Sequence, residues 1–167
     1  MSLVINLYGG PGSGKSTTMA ALFSRMKLRG LSVEMAPEWV KAPVWAGETH
    51  VLEDQLYVLA KQNRLLGRLD GNVDYIITDS PLLMSLVYTE DPGINQIVHY
   101  ITGGYNNLHV FLERVKTYNP AGRVQDERKA RLLDFSIREM LSREVGPGLI
   151  CLPADEHAAS TLEKQLL

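Results

Sequence analysis

The run Gly9-Gly10-Pro11-Gly12-Ser13-Gly14-Lys15-Ser16-Thr17 constrains this chain more than any other feature. It follows the apolar stretch Leu3-Val4-Ile5-Asn6-Leu7-Tyr8 and fits G-x-x-x-x-G-K-[ST] between a predicted strand and a predicted helix. Its glycines let the backbone turn tightly enough for several N–H groups to converge on the β and γ phosphates of a nucleotide. The Lys15 ammonium reaches the same oxygens, and the Ser16 hydroxyl suits a magnesium shell. A helix predicted over Thr17 to Arg29 aims its positive end at the same place. ATP and Mg2+ are therefore the expected ligands, held by Gly9 through Thr17.

Length and composition set the frame around that loop. A chain of 167 residues, 45% of them hydrophobic, has room for one α/β domain over 1–167 and too little for two. The apolar run before the loop is too short for a signal peptide or a membrane span, so a cytoplasmic protein is expected. The single cysteine, Cys151, excludes an internal disulfide, and its place in Leu149-Ile150-Cys151-Leu152 predicts a buried structural thiol. His50, His99, His109 and His157 lack a second ligand at metal spacing, so no zinc site is expected. The net charge of −2 conceals an asymmetry: residues 114 to 143 hold eight of the 17 Lys and Arg against four acids, and the rest of the chain carries −6. Such a concentration predicts a phosphate-handling element in that segment.

Short β-rich runs alternate with helical ones, the pattern of a parallel sheet with helices on both faces. Strands are predicted at Leu3–Tyr8, Leu31–Ala36, Asp74–Thr78, Leu108–Arg114 and Leu149–Leu152, which gives a five-stranded, three-layer α/β/α phosphate-loop kinase core. A long helix is expected from about His50 to Leu69, with Leu52, Leu56, Leu59, Asn63 and Leu66 on one face and Gln55, Gln62, Arg64 and Arg68 on the other. Gly30, Gly71 and Gly146 mark helix ends, and Pro81 and Pro92 mark starts. Ligands of an open parallel sheet lie beyond the carboxyl ends of its strands, so the residues just after each strand are the candidates for chemistry.

Asp79 ends the apolar strand Tyr75-Ile76-Ile77-Thr78 and is the candidate metal residue beside Ser16, with capping of a helix near Pro81 as its structural alternative. Glu38, after the second strand, suits a general base that takes the proton of an acceptor hydroxyl; Asp79 is the alternative base. Trp39, Trp45 and Lys41 share that loop and are candidates for holding the acceptor, the tryptophans by stacking. The segment Lys116 to Gln125 breaks the hydrophobic pattern and predicts a lid at about 115–128. Arg123 is its catalytic arginine, with Arg128 and Arg131 behind it.

Gly9 to Thr17, Thr78-Asp79-Ser80-Pro81-Leu82-Leu83 and Tyr118-Asn119-Pro120-Ala121-Gly122-Arg123-Val124-Gln125 together resemble the small phage-encoded kinases related to thymidylate kinase, and among them the hydroxymethyluracil DNA kinases. The resemblance implies ATP on the loop, Asp79 at the magnesium site, Arg123 in the lid, and transfer of phosphate to the hydroxymethyl group of a modified uracil within phage DNA. Thymidylate kinases carry an arginine beside the third-strand aspartate; Ser80 stands there in this chain, which points to an acceptor hydroxyl presented without that contact to a free 5′ phosphate. A kinase of free deoxynucleotides or nucleosides is the second reading, with Gln55, Gln62 or Arg64 reading the base. A GTPase switch would want Asn-Lys-x-Asp, which is absent, and a remodelling ATPase would want a larger core.

Overall fold

Leu3 to Tyr8 is apolar on successive residues, the condition of a strand covered on both faces. In the computed structural model, which describes residues 1–115 and 127–167, β1 (Leu3–Tyr8) is the central strand. Ile5 and Leu7 pack on one side with Met19, Leu22, Met26 and Leu162. Val4 and Tyr8 pack on the other with Leu59, Leu66, Val98, Ile137 and Leu141. The side chain of Asn6 is the polar exception; it donates to Asn107 Oδ1 at 3.0 Å and Val4 O at 3.1 Å, so its burial is matched by hydrogen bonds.

The strands β2 (Val33–Ala36), β3 (Tyr75–Thr78), β4 (Asn106–Glu113) and β5 (Ile150–Pro153) complete one parallel sheet in the order β2-β3-β1-β4-β5. The helices are α1 (Lys15–Leu28), α2 (Lys41–Trp45), α3 (Gln55–Gly67), α4 (Ser85–Tyr88), α5 (Pro92–Thr102), α6 (Glu127–Glu144) and α7 (Ala158–Leu166). Helices α1 and α7 cover one face of the sheet; α3, α5 and α6 cover the other. The expected α/β/α layering is thus the observed one. Placing β3 directly against β1, with Asn6 level with Thr78, brings Asp79 to the mouth of the phosphate loop.

Three expectations are corrected. The helix expected from His50 begins late: Thr49–Glu53 forms a 3₁₀ turn, and the Asp54 carboxylate accepts from Tyr57 N at 2.9 Å to cap α3. A side chain that takes up a backbone donor resets the helix start. The buried face of α3 is consequently Leu59, Gln62 and Leu66, while Leu52 and Leu56 are exposed and Gln62 is not on the outer face. Cys151 is exposed rather than buried, because β5 is an edge strand and of its residues only Leu152 is buried. The strand ends move by up to two residues; Leu31 and Ser32 precede β2, and Ser32 O accepts from both Asp74 N and Tyr75 N. Among the described residues no helix is long and apolar enough to cross a membrane.

Candidate active site

The phosphate loop leaves β1 at Gly9, whose φ of 143° belongs to glycine; a Cβ there would lie 2.5 Å from Ser13 Oγ. Gly14, at φ 109°, is the N-cap of α1, and no side chain caps that end. The first N–H groups of α1 are therefore arranged for an anionic ligand. The Ser13 hydroxyl is buried and has no hydrogen-bond partner among the described residues. Lys15 curls back over the loop, its Nζ donating to Gly9 O at 2.5 Å and Gly10 O at 3.1 Å. Burial pushes this ammonium below the usual lysine range, and the carboxylates of Glu38, Asp79 and Asp134 pull it back up. A group so desolvated and surrounded by carbonyl oxygens gains by meeting phosphate oxygens instead.

Asp79 is buried at the end of β3, and both of its oxygens are engaged. Oδ1 accepts from Glu38 N at 3.0 Å; Oδ2 accepts from Ser16 Oγ at 2.5 Å and Lys41 Nζ at 3.1 Å. It does not cap the turn at Leu82–Met84, whose N-cap is Pro81 without a side-chain bond. A hydroxyl and a carboxylate brought together are hard oxygen donors that fit Mg2+, whose octahedron phosphate oxygens and water would complete. Ser16 and Asp79 are the residues that would hold it.

Through the Glu38 N–H, Asp79 also fixes the loop after β2. Gln62 secures the next turn of that loop, its Oε1 accepting from Trp39 N at 2.9 Å and its Nε2 donating to Pro37 O at 3.3 Å. The side chain expected to read a base is thus a brace for the loop that carries Glu38, buried on the same face of α3 as Leu59 and Leu66. Lys41 stands near Glu38 Oε2 at 3.7 Å and donates to Ser16 Oγ at 2.8 Å, so its ammonium lies at the oxygens of Ser16 and Asp79. Trp39 meets Tyr57 edge-on with ring centroids 5.3 Å apart, and Lys61 lies over both rings. Trp45 is 79% exposed at the far end of α2. Tyr88, which the sequence did not single out, is 48% exposed as a residue, and desolvation at its hydroxyl end together with the nearby Glu38 charge raises its pKa to about 12. It lines a groove with Glu53, Asp54, Gln55, Asp91 and Ile94.

On the opposite side of the loop, a contact unforeseen in the sequence joins α6 to the glycines. Asp134 Oδ1 accepts from Gly10 N at 2.6 Å, and Asp134 Oδ2 accepts from Arg114 Nε at 2.8 Å. Arg114 Nη2 donates to Pro11 O at 2.9 Å, and its side chain is 4% exposed. The only hint in the sequence was an arginine closing the predicted strand Leu108–Arg114, at the end where ligands bind. Arg131 pairs with Glu127 and Arg138 with Glu113, both at the surface, so part of the positive charge of the basic segment is matched by neighbouring acids. Arg128 lies exposed at the start of α6 beside Arg131 and Leu132. The expected lid core, Lys116 to Gln125 with Arg123, lies outside the described residues.

A glycine loop between a buried strand and a helix, with a hydroxyl and a strand-end carboxylate side by side, defines a phosphate-loop nucleotide-binding domain of the phosphotransferase or ATPase class. The profile of one family, described as AAA domain, matches residues 4–155, from β1 to just beyond β5, and the chain belongs to that family. No curated protein matches the chain.

Proposed function

We propose that this protein is an ATP-dependent kinase that transfers the γ phosphate to an acceptor hydroxyl, and that the acceptor is the hydroxymethyl group of 5-hydroxymethyluracil in phage DNA. The observation that carries the kinase reading is the tie between Glu38 N and Asp79 Oδ1. It holds a second carboxylate beside the metal oxygens, where an acceptor rather than the nucleotide would be met. The DNA acceptor rests on the motif resemblance and on Ser80 in place of the thymidylate kinase arginine.

In this reading Gly9 to Thr17 hold the triphosphate and Lys15 neutralises its charge. Magnesium, held by Ser16 and Asp79, would supply charge stabilisation at the transferring phosphoryl group. Glu38 takes the proton of the acceptor hydroxyl as the new O–P bond forms and the bond from the γ phosphorus to the bridging oxygen breaks, releasing ADP. Gln62 and Asp79 keep the Glu38 backbone in place while this happens. Arg123 and Arg128 serve the phosphates from the lid side, and Trp39 offers a face to the base.

One observation favours a free nucleoside as acceptor within the second reading. The groove beside Tyr88 is lined by Glu53, Asp54 and Asp91, which repel a polyanionic backbone. The deciding experiment follows labelled γ phosphate from ATP into hydroxymethyluracil DNA, ordinary DNA, a panel of free nucleosides and deoxynucleotides, and water. Label in the modified DNA alone is the expected result. Label confined to a free nucleoside or nucleotide would move the acceptor to the second reading, and label found only as inorganic phosphate would make the protein an ATPase. Glu38→Gln should lower transfer by about 10²–10⁴-fold with ATP affinity nearly unchanged; an active variant removes Glu38 as the base.

A further inference from the structure

We propose that the Lys41 ammonium is a resident counter-ion of the metal site, which a divalent cation must displace before it can bind. The inference rests on the metal half of the function proposed above and is indifferent to the acceptor. Lys41 Nζ donates to Ser16 Oγ at 2.8 Å and to Asp79 Oδ2 at 3.1 Å, the two oxygens that fit magnesium, with Glu38 Oε2 at 3.7 Å. These partners come from the start of α1, the end of β3 and the loop after β2, so one ammonium gathers the three segments that build the site.

The reason for such a group lies in the burial of Asp79. A carboxylate side chain only 1% exposed is costly without a countercharge. Lysine is suited to be a replaceable one: it is a compact charge on a flexible stem, and the Lys41 side chain is 46% exposed at the first turn of a short helix. Withdrawing it moves a side chain already half in solvent, and Glu38, three residues earlier, remains a partner. An ammonium offers only donors, so it cannot join a metal shell, and at contact distance two cations repel. Engagement of Lys41 and occupation by metal therefore exclude one another. The apparent metal affinity falls by the fraction of molecules in which the lysine is disengaged. The site is thus stable without metal, and it selects for a doubly charged ion able to outbid a single charge.

The test is binding of Mn2+ alone to the nucleotide-free protein, read from the EPR signal of the free ion. Lys41→Met should bind Mn2+ about tenfold more tightly than the wild type, taking roughly a tenth of the wild-type molecules as competent, while Lys41→Arg, which keeps the charge, should stay near the wild type. Equal or weaker binding by Lys41→Met overturns the proposal. If that variant does not fold, the wild type decides: amine labelling read by mass spectrometry should rise at Lys41 when Mn2+ is added, and an unchanged rate overturns it. Absence of phosphoryl transfer to every acceptor would defeat the kinase reading and leave these two measurements standing.

Discussion

Two carboxylates grip the phosphate loop from opposite sides, and they are held in opposite ways. Asp134 takes the Gly10 N–H from the α6 side and is pinned by Arg114, a planar cation whose side chain is 4% exposed and which also binds the Pro11 carbonyl. Asp79 takes the Ser16 hydroxyl from the β3 side and is neutralised by Lys41, a flexible cation with 46% of its side chain in solvent. A buried guanidinium that makes several directed bonds is a permanent brace; a half-exposed ammonium is exchangeable. The lesson is that one side of the loop is built to keep its shape and the other to change its ligand.

The comparison breaks first, and with the largest effect, at Arg114. Arg114→Met leaves Asp134 without its cation and should cost about 3–5 kcal/mol in urea unfolding, whereas Lys41→Met should cost less, about 1–3 kcal/mol, because the buried Asp79 keeps the bonds from Ser16 Oγ and Glu38 N. Equal losses would erase the distinction between brace and counter-ion. Gly10→Ala comes next: its Cβ would lie 2.6 Å from Asp134 Oδ1 and 2.8 Å from Ala130 O. Helix α6 must then shift, at about 1–3 kcal/mol, and nucleotide affinity measured by calorimetry should fall with it. Full stability and full affinity in Gly10→Ala would mean that α6 does not position the loop.

The smallest effect concerns His109, which lies outside both grips and bonds the Tyr8 hydroxyl at 2.8 Å. Burial lowers its pKa below the ordinary value. The unfolded chain therefore takes up a proton near pH ~6.5 that the folded chain still refuses, so stability conferred by the neutral ring is present above that pH and lost as pH falls toward the lowered folded value. His109→Gln should flatten unfolding stability between about pH 7 and pH 5. An unchanged slope would show that another group carries it.

What could be read in advance was local. The apolar run before Gly9, the glycines, Lys15 and Ser16, and the carboxylate after Tyr75–Thr78 are each written in neighbouring residues, because strand burial and loop curvature are short-range requirements. Lys41 and Gln62 were legible as polar residues near the site but not in their places. Lys41 meets Ser16 across 25 positions and Gln62 meets Trp39 across 23, and no spacing rule links such pairs. The leucine periodicity also misled, since Leu52 lies before the Asp54 cap where α3 begins and Leu56, in the first turn of α3, is exposed.

By itself, then, the sequence determined an α/β chain with a nucleotide loop and a strand-end acid, since those depend on residues that touch their neighbours along the backbone. Only the tertiary structure decided that Asp134 would hold Gly10 from 124 positions away, that Arg114 would be buried as its partner, and that Lys41 would sit on the Ser16 and Asp79 oxygens. Those assignments follow from packing, which brings distant charges into one desolvated place and makes each require the other.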